Sequence, residues 1–331
     1  MGTAAFVSGA TGFIAQHIIK QLLEKGYSVV GSVRNESKGE TLKKNFATDK
    51  FSYEIVEDLE TVGAFDTALK KHPEVTIFLH TASPVTFDVE DNEKDIILPA
   101  INGTVNVLKA IKATAPQVNK VVITSSVASQ RTFSNPSALV SEDTWNDITY
   151  EQAKSDSVAA YYGSKTFAEK AAIEFVKNEE PHFTISTVHP VFVFGPQAFD
   201  SEAKGELNVT NTFISGLLKL KEGSDASVPT NSGTFIDVRD VAAAHLIEIE
   251  KPSNGLRVLV KNVDFNSQSL LNIINKNFPE LGLIKGDPEA PVDKKRITDA
   301  KSRAYLGVNY IDIEKSVVDT VKQYVAANKL G

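Results

Sequence analysis

Cysteine is absent from all 331 residues. That excludes a disulfide framework, a thiolate nucleophile and any cysteine-based metal site, and it suits a reducing compartment. A basic excess is missing too: 35 Lys and Arg stand against 42 Asp and Glu, a net charge of −7. Neither nucleic acid nor an anionic membrane surface is therefore an expected partner. No apolar run approaches the ~20 residues of a membrane span. The opening stretch Ala4-Ala5-Phe6-Val7 is interrupted by Ser8-Gly9 too soon for a signal peptide. The six histidines show no metal-ligand spacing, so no metal is expected. A cytoplasmic location is the expectation. What the chain does have is 42% apolar residues, ample for one large domain or two packed ones.

The first 190 residues alternate two patterns. Short, nearly all-apolar runs at Ala4–Ser8, Ser28–Val33, Tyr53–Val56, Thr76–His80, Lys120–Thr124 and Thr184–Val188 suit parallel strands buried on both faces. Between them lie helical patterns at Gly12–Glu24, Lys38–Phe46, Val62–Lys71, Glu93–Ala113 and Ala160–Lys177. In the first of these, Phe13, Ile14, His17, Ile18 and Leu22 recur at three-to-four spacing, an inward face. Repeated strand–helix–strand order with right-handed crossovers predicts an α/β fold, a doubly wound parallel sheet of Rossmann type.

After Pro190 the alternation breaks down. Ala203–Leu220 reads as helix, Thr234–Asp237 as a strand entering a helix at Val238–Glu248, and Leu256–Val260 as another strand. Helices at Ser267–Asn277 and Asp312–Ala326 complete the pattern. We expect residues 1–190 to form a dinucleotide-binding domain and 191–331 a smaller C-terminal α/β substrate lobe, with part of 235–260 able to return to the first domain.

Three groups of residues carry chemistry. Gly9 and Gly12, with Thr11, Phe13 and Ile14, lie between the first strand and first helix, where glycines permit a tight turn and close approach to a pyrophosphate. A bare glycine pair is a weak signal, but this position confirms it. The second strand ends in Arg34, with Lys38 following, where a site for NAD would place an acid on the ribose 2′-hydroxyl. A guanidinium there can grip a 2′-phosphate, so NADPH is the expected cofactor, although a solvated basic pair on a loop would look the same. Asp58 and Leu59, past the third strand, are placed around the adenine.

The third group is Tyr161 and Lys165, one helical turn apart and so on one face, with Ser125 and Ser126 ending a strand upstream. A free phenol has a pKa of ~10. One cation about 4 Å away at an effective dielectric of about 20 contributes roughly 4 kcal/mol, or roughly three pKa units. Lys165 is therefore expected, with an oxidised nicotinamide, to bring the phenol toward the range of an effective general acid. A serine would hold the carbonyl oxygen and stabilise its developing charge. Tyr150 and Lys154 repeat the spacing but sit in a polar stretch without helical periodicity, so the later pair is preferred. Asn102 and Asn106 read as helix packing, Asp237, Arg239 and Asp240 as capping and ion pairs. The phenylalanines at 87, 133, 192, 194 and 199 are mostly core, one or two of them touching substrate.

These pieces also carry a resemblance. Val7-Ser8-Gly9-Ala10-Thr11-Gly12-Phe13-Ile14, Leu79-His80-Thr81-Ala82-Ser83-Pro84, Val122-Ile123-Thr124-Ser125-Ser126 and Gly163-Ser164-Lys165 are joined by His189-Pro190-Val191-Phe192-Val193-Phe194-Gly195-Pro196 and Phe235-Ile236-Asp237-Val238-Arg239-Asp240. Jointly they resemble the extended short-chain dehydrogenase/reductases of the dihydroflavonol-reductase-like branch, above all its fungal NADPH-dependent methylglyoxal (3-methylbutanal) reductases. The resemblance spans nearly the whole chain. It implies the catalytic set Ser126, Tyr161 and Lys165, selecting the second serine, with Lys165 also on the nicotinamide ribose. It implies that Arg34 and Lys38 meet the 2′-phosphate, that Thr81, Ala82 and Ser83 line the cofactor, and that Pro190 and Val193 sit by the nicotinamide. Val85 and Val127 stand where that branch carries bulkier residues, and with Phe192 they are the expected substrate contacts.

The expected function is NADPH-dependent reduction of small aldehydes, ketones and α-dicarbonyls in an apolar pocket without an obvious carboxylate-binding arginine, in a monomer or homodimer. An NAD-dependent nucleotide-sugar epimerase or dehydratase would lack the basic pair. A non-catalytic NADP-sensing protein would have no use for Ser126, Tyr161 and Lys165 together.

Overall fold

The computed structural model describes residues 3–83, 88–223 and 225–329. Seven strands form one parallel sheet: β1 Ala4–Ser8, β2 Ser28–Val33, β3 Phe51–Ile55, β4 Val75–His80, β5 Lys120–Thr124, β6 Thr184–Pro190 and β9 Arg257–Val260, in the order β3-β2-β1-β4-β5-β6-β9. The order reverses between β1 and β4, the crevice where ligands bind in such sheets.

Both faces of the sheet are covered, which is why its strands are apolar on both sides. On one face the helix Phe13–Glu24 buries Ile18, Ile19 and Leu22 beside the helix Val238–Glu250, which brings Val241 and Leu246. On the other, Leu98–Thr114 contributes Val107 and Ile111, and Ser157–Glu179 contributes Ala172 and Phe175. A wider π turn, Glu93–Ile97, precedes Leu98–Thr114, ahead of Pro99, which has no N–H to return. Among the described residues this Glu93–Thr114 stretch is the one helix long and apolar enough to cross a membrane by length and composition, and most of it is buried inside the protein.

The remaining strands, β7 Phe192–Phe194, β8 Ser232–Asp237 and β10 Asp264–Asn266, form a small mixed sheet in the order β10-β8-β7. Phe194, Phe235 and Phe265 make its core with Leu270 and Val317 from two flanking helices, Ser267–Asn277 and Ile313–Asn328. Asp237 caps Val238–Glu250 by accepting from the Arg239 backbone N–H, and the Arg239 guanidinium bridges Asp237 and Asp319 at 2.8 and 2.7 Å. The expected capping role holds.

Two helical expectations shrink. Val62–Lys71 is helical only over Asp66–Lys71, because Gly63 turns the chain with φ +80°. Ala203–Leu220 keeps helix only at Thr212–Leu217. There the Asn211 side chain donates to the Gly195 carbonyl and Asn208 Oδ1, offering local bonds that compete with a helical ladder.

Candidate active site

Ser8, at the end of β1, organises the glycine loop. Its hydroxyl is 2.9 Å from His80 Nδ1 and accepts from the N–H groups of Thr81 and Ala82, while Thr81 Oγ1 donates to the Ser8 carbonyl. Burial, reinforced by the charge of Lys165, holds His80 near pKa 3, so its neutral ring takes the serine proton. Gly9 follows at φ +66°, and a Cβ there would lie 2.9 Å from Ala82 Cα. The glycine is thus demanded by the segment that follows β4 as well as by its conformation.

The helix Phe13–Glu24 has Gly12 at its N-cap, no side-chain cap and no acid in its first turn. Its orphan N–H groups are left for an anion, which fits a pyrophosphate. Thr11 and Gly12 are exposed, Phe13 and Ile14 half-buried. Arg34 and Lys38 are exposed at the end of β2 and the start of the helix Glu36–Phe46, with Asn35 as its cap. No acid stands at the end of β2 itself. These residues fit NADPH.

Asp58 is exposed and accepts from the Glu60 N–H and the Thr61 hydroxyl, while Leu59 packs onto Gly103, where a Cβ would come within 2.5 Å of it. Asn106 donates to the carbonyls of Leu59 and Glu60 at 3.3 and 2.7 Å, so its side chain shapes this turn.

Tyr161 and Lys165 lie on the helix Ser157–Glu179, started by Asp156, whose side chain accepts from the Ala159 N–H. The Tyr161 hydroxyl is 3.3 Å from Ser126 Oγ, a long bond. Ser126 Oγ also accepts from the Ala128 N–H at 3.1 Å, which leaves its own proton to donate elsewhere. Ser125 faces away, donating to Glu169 Oε2 at 2.7 Å. The alternative pair is engaged otherwise: Tyr150 donates to Glu93 and Lys154 pairs with Glu151.

The expected lowering of the phenol by Lys165 is not realised in the protein alone. Burial pushes the Tyr161 pKa up, and the hydrogen bond to Ser126 offsets this only partly. Lys165 Nζ sits 5.9 Å from the ring centroid, and burial draws the ammonium's own pKa down from 10.5 to about 8. At ~1.36 kcal/mol per pKa unit, that drop is on the order of 3 kcal/mol of destabilisation. The folded pKa lies below the unfolded one, so the folded state carries the whole penalty below about pH 8 and sheds it as pH rises toward 10.5. Lys165→Met is therefore expected to stabilise the cofactor-free protein by about 2–3 kcal/mol at pH 7, an advantage that shrinks at pH 10. Urea unfolding of both proteins at the two pH values tests this; equal stability at pH 7 would contradict it.

Beneath Ser126 lies a buried polar cluster. Glu169, with 1% of its side chain exposed, accepts from Ser125 and Ser129 and pairs with Arg257 Nε at 2.6 Å. Burial acts to raise the Glu169 carboxyl, but the neighbouring positive charge and hydrogen bonds outweigh it and hold the pKa below its ordinary value. His189 Nδ1 faces the Ser126 carbonyl at 3.2 Å and must donate to it, so Nε2 accepts from Thr187 at 2.7 Å. Burial lowers the His189 pKa although Glu169 acts to raise it, so near neutrality the 3.4 Å approach of Nε2 to Glu169 is not a standing ion pair and Arg257 is the permanent counterion. Arg257 also stacks on Trp145 at 3.8 Å and donates to the carbonyls of Glu142 and Thr144.

Ser126 and Tyr161 open on a cavity of about 290 Å³ whose walls include Val127, Val158, Phe192 and Val209. Val127 and Phe192 thus line this cavity, and Val85 lies outside the described residues. Pro190 and Val193 are buried, and it is Val191 and Phe192, between them, that line this cavity. Of the other phenylalanines, Phe194 is core, Phe199 packs on Phe46, Phe133 belongs to a satellite cluster, and Phe87 is outside the described residues. The expectation of no arginine in the pocket is wrong: Arg131 forms part of the wall. Periodicity could not flag it, because it follows the short 3₁₀ turn Val127–Ser129 in an irregular loop. Its place, five residues after Ser126 beyond the C-terminal end of β5, was the available signal. Among the described residues no cluster could hold a metal ion.

Residues 5–263 match the NAD dependent epimerase/dehydratase family. The NADPH-dependent methylglyoxal reductase GRE2 of Saccharomyces cerevisiae is 39% identical over 340 residues, covering 97% of each chain. The crystal structure of Gre2 from Candida albicans in complex with NADPH superposes with a TM-score of 0.93 at 47% identity, covering 98% of this chain and 99% of that one. A reductase structure from the engineering of asymmetric catalysis is 54% identical, with a TM-score of 0.94 and coverage of 98% and 100%.

Proposed function

The chain belongs to the NAD dependent epimerase/dehydratase family and is an NADPH-dependent carbonyl reductase within it, and on that premise we propose that its substrates are small aldehydes and α-dicarbonyls such as methylglyoxal and 3-methylbutanal, reduced at Ser126 and Tyr161. The observation that carries this is the meeting of the two hydroxyls, 3.3 Å apart, in the wall of one largely apolar cavity.

NADPH, when bound, supplies the hydride to the carbonyl carbon. As the C=O π bond breaks, Tyr161 transfers its proton to the oxygen, and Ser126 donates a hydrogen bond to the charge developing there. Lys165, buried one turn along the helix, would add positive charge near the phenolate and would bind the ribose hydroxyls. Val127, Val158 and Phe192 give the reacting carbon an apolar wall. In this reading Gly9, Thr11, Gly12, Phe13 and Ile14 cradle the pyrophosphate, Asp58 and Leu59 flank the adenine, and Thr81, Ala82, Ser83, Pro190 and Val193 complete the cofactor site. On the same reading the cofactor domain comprises residues 1–190 together with 238–260, and most of the rest forms the substrate lobe, although Ile297 and Leu306 pack in the core of the parallel sheet. A cytoplasmic location accords with the lack of cysteine.

Steady-state reduction of methylglyoxal, 3-methylbutanal and an aryl ketone, each with NADPH and NADH, tests the substrate range; no turnover of either aldehyde would discard it. Arg34→Ala is expected to raise KM for NADPH by roughly 10- to 100-fold and to alter KM for NADH far less, since only the former carries the 2′-phosphate. An equal change for both would remove Arg34 from that role.

A further inference from the structure

Arg131 is the one charged side chain among the described residues that line the substrate cavity. Its backbone is fixed, the N–H donating to the Val127 carbonyl at 3.0 Å, one turn after Ser126. Its side chain is half-buried, and the Nε atom is shut off from water with no hydrogen-bond partner among the described residues. Among the described residues no Asp or Glu lines the cavity to balance it. An arginine that lines an apolar cavity with no carboxylate beside it among the described residues offers a planar donor of the shape that a carboxylate satisfies with two oxygens. A phosphate dianion would call for a second cation, which the lining does not contain.

We propose that Arg131 makes this pocket selective for oxo acids, its guanidinium receiving the carboxylate while the aldehyde or ketone group sits at Ser126 and Tyr161. The inference rests on the reductase reading of those two hydroxyls. The chemistry is the same two-electron reduction. The C=O π bond breaks, a C–H bond forms with the hydride from NADPH, an O–H bond forms with the Tyr161 proton, and the carboxylate leaves unchanged in a hydroxy acid. A cavity of about 290 Å³ has room for a short-chain oxo acid.

The test compares kcat/KM for 2-oxo, 3-oxo and 4-oxo acids with that for the methyl ester of each, using NADPH. At least one acid is expected to exceed its ester by roughly 10- to 100-fold, the worth of a charge-assisted hydrogen bond. Arg131→Met should collapse that ratio to about one or below, and Arg131→Lys should keep part of it. A second readout needs no turnover of an acid: butanoate should inhibit 3-methylbutanal reduction competitively, more strongly than butanamide, and lose that advantage in Arg131→Met. If 3-methylbutanal is reduced while no acid outruns its ester, or the ratio survives Arg131→Met, the proposal is overturned. If 3-methylbutanal is not reduced either, the reductase reading has failed and the proposal fails with it.

Discussion

Tyr161→Phe is expected to lower kcat by roughly 10²- to 10⁴-fold, the range removed when a positioned general acid is lost. The substitution deletes one oxygen from a ring that keeps its place on the helix Ser157–Glu179, so the fold and the cofactor surfaces should persist. NADPH titrated by fluorescence should bind with its affinity within a few fold of the parent. The protonated phenol is the form the reaction needs, and burial, by raising the Tyr161 pKa, preserves it at neutral pH. Turnover that survives the substitution would transfer the proton to some other donor and leave Ser126 without its partner. A loss of NADPH binding in step with turnover would instead make Tyr161 a cofactor contact first.

Glu169→Gln is expected to cost about 3–5 kcal/mol of stability, because it strands the Arg257 charge beneath the active site. The side chain of Arg257 is only 11% exposed, and its other hydrogen bonds go to neutral carbonyls. The folded-state pKa of Glu169 is depressed, so the pair's contribution is present above the unfolded carboxyl value and fades as pH falls through the folded one. The difference between parent and variant should therefore be largest near neutrality and narrow in acid. Guanidinium unfolding at pH 7 and pH 4 measures it. Combining the change with Arg257→Met should recover much of the loss, since removing both charges removes the imbalance. A single variant as stable as the parent would show that water, and not Glu169, balances Arg257.

The glycine loop, the strand ends and the Tyr161–Lys165 pair were legible because each is tied to a local pattern: period, turn residue or helical spacing. β1, β2 and β5 coincide with their expected runs for the same reason. Choosing Ser126 over Ser125 was beyond the reading of the residues and came from the resemblance; the structure separates the two by the Glu169 bond that turns Ser125 away. Arg131 was illegible because its environment is made by walls remote in sequence, Val158, Phe192 and Val209 among them. The Glu169–Arg257 pair was hidden likewise, its members lying on Ser157–Glu179 and β9. Ala203–Leu220 misled in the opposite sense. Its apolar residues Ile214, Leu217 and Leu218 do face a core, but the asparagine side chains and Gly205, at φ +82°, spread them over loops.

The placement of β9 bears on how a growing chain acquires its shape. Until residues 257–260 have been synthesised, β6 keeps a bare edge and Glu169 has no counterion. Strands β7 and β8 of the small mixed sheet are by then already made. An amino-terminal half emerging alone is therefore a sticky intermediate, with open backbone donors and acceptors along its newest strand. Its completion waits on a segment some seventy residues further on, and the parallel sheet gains its last strand only then.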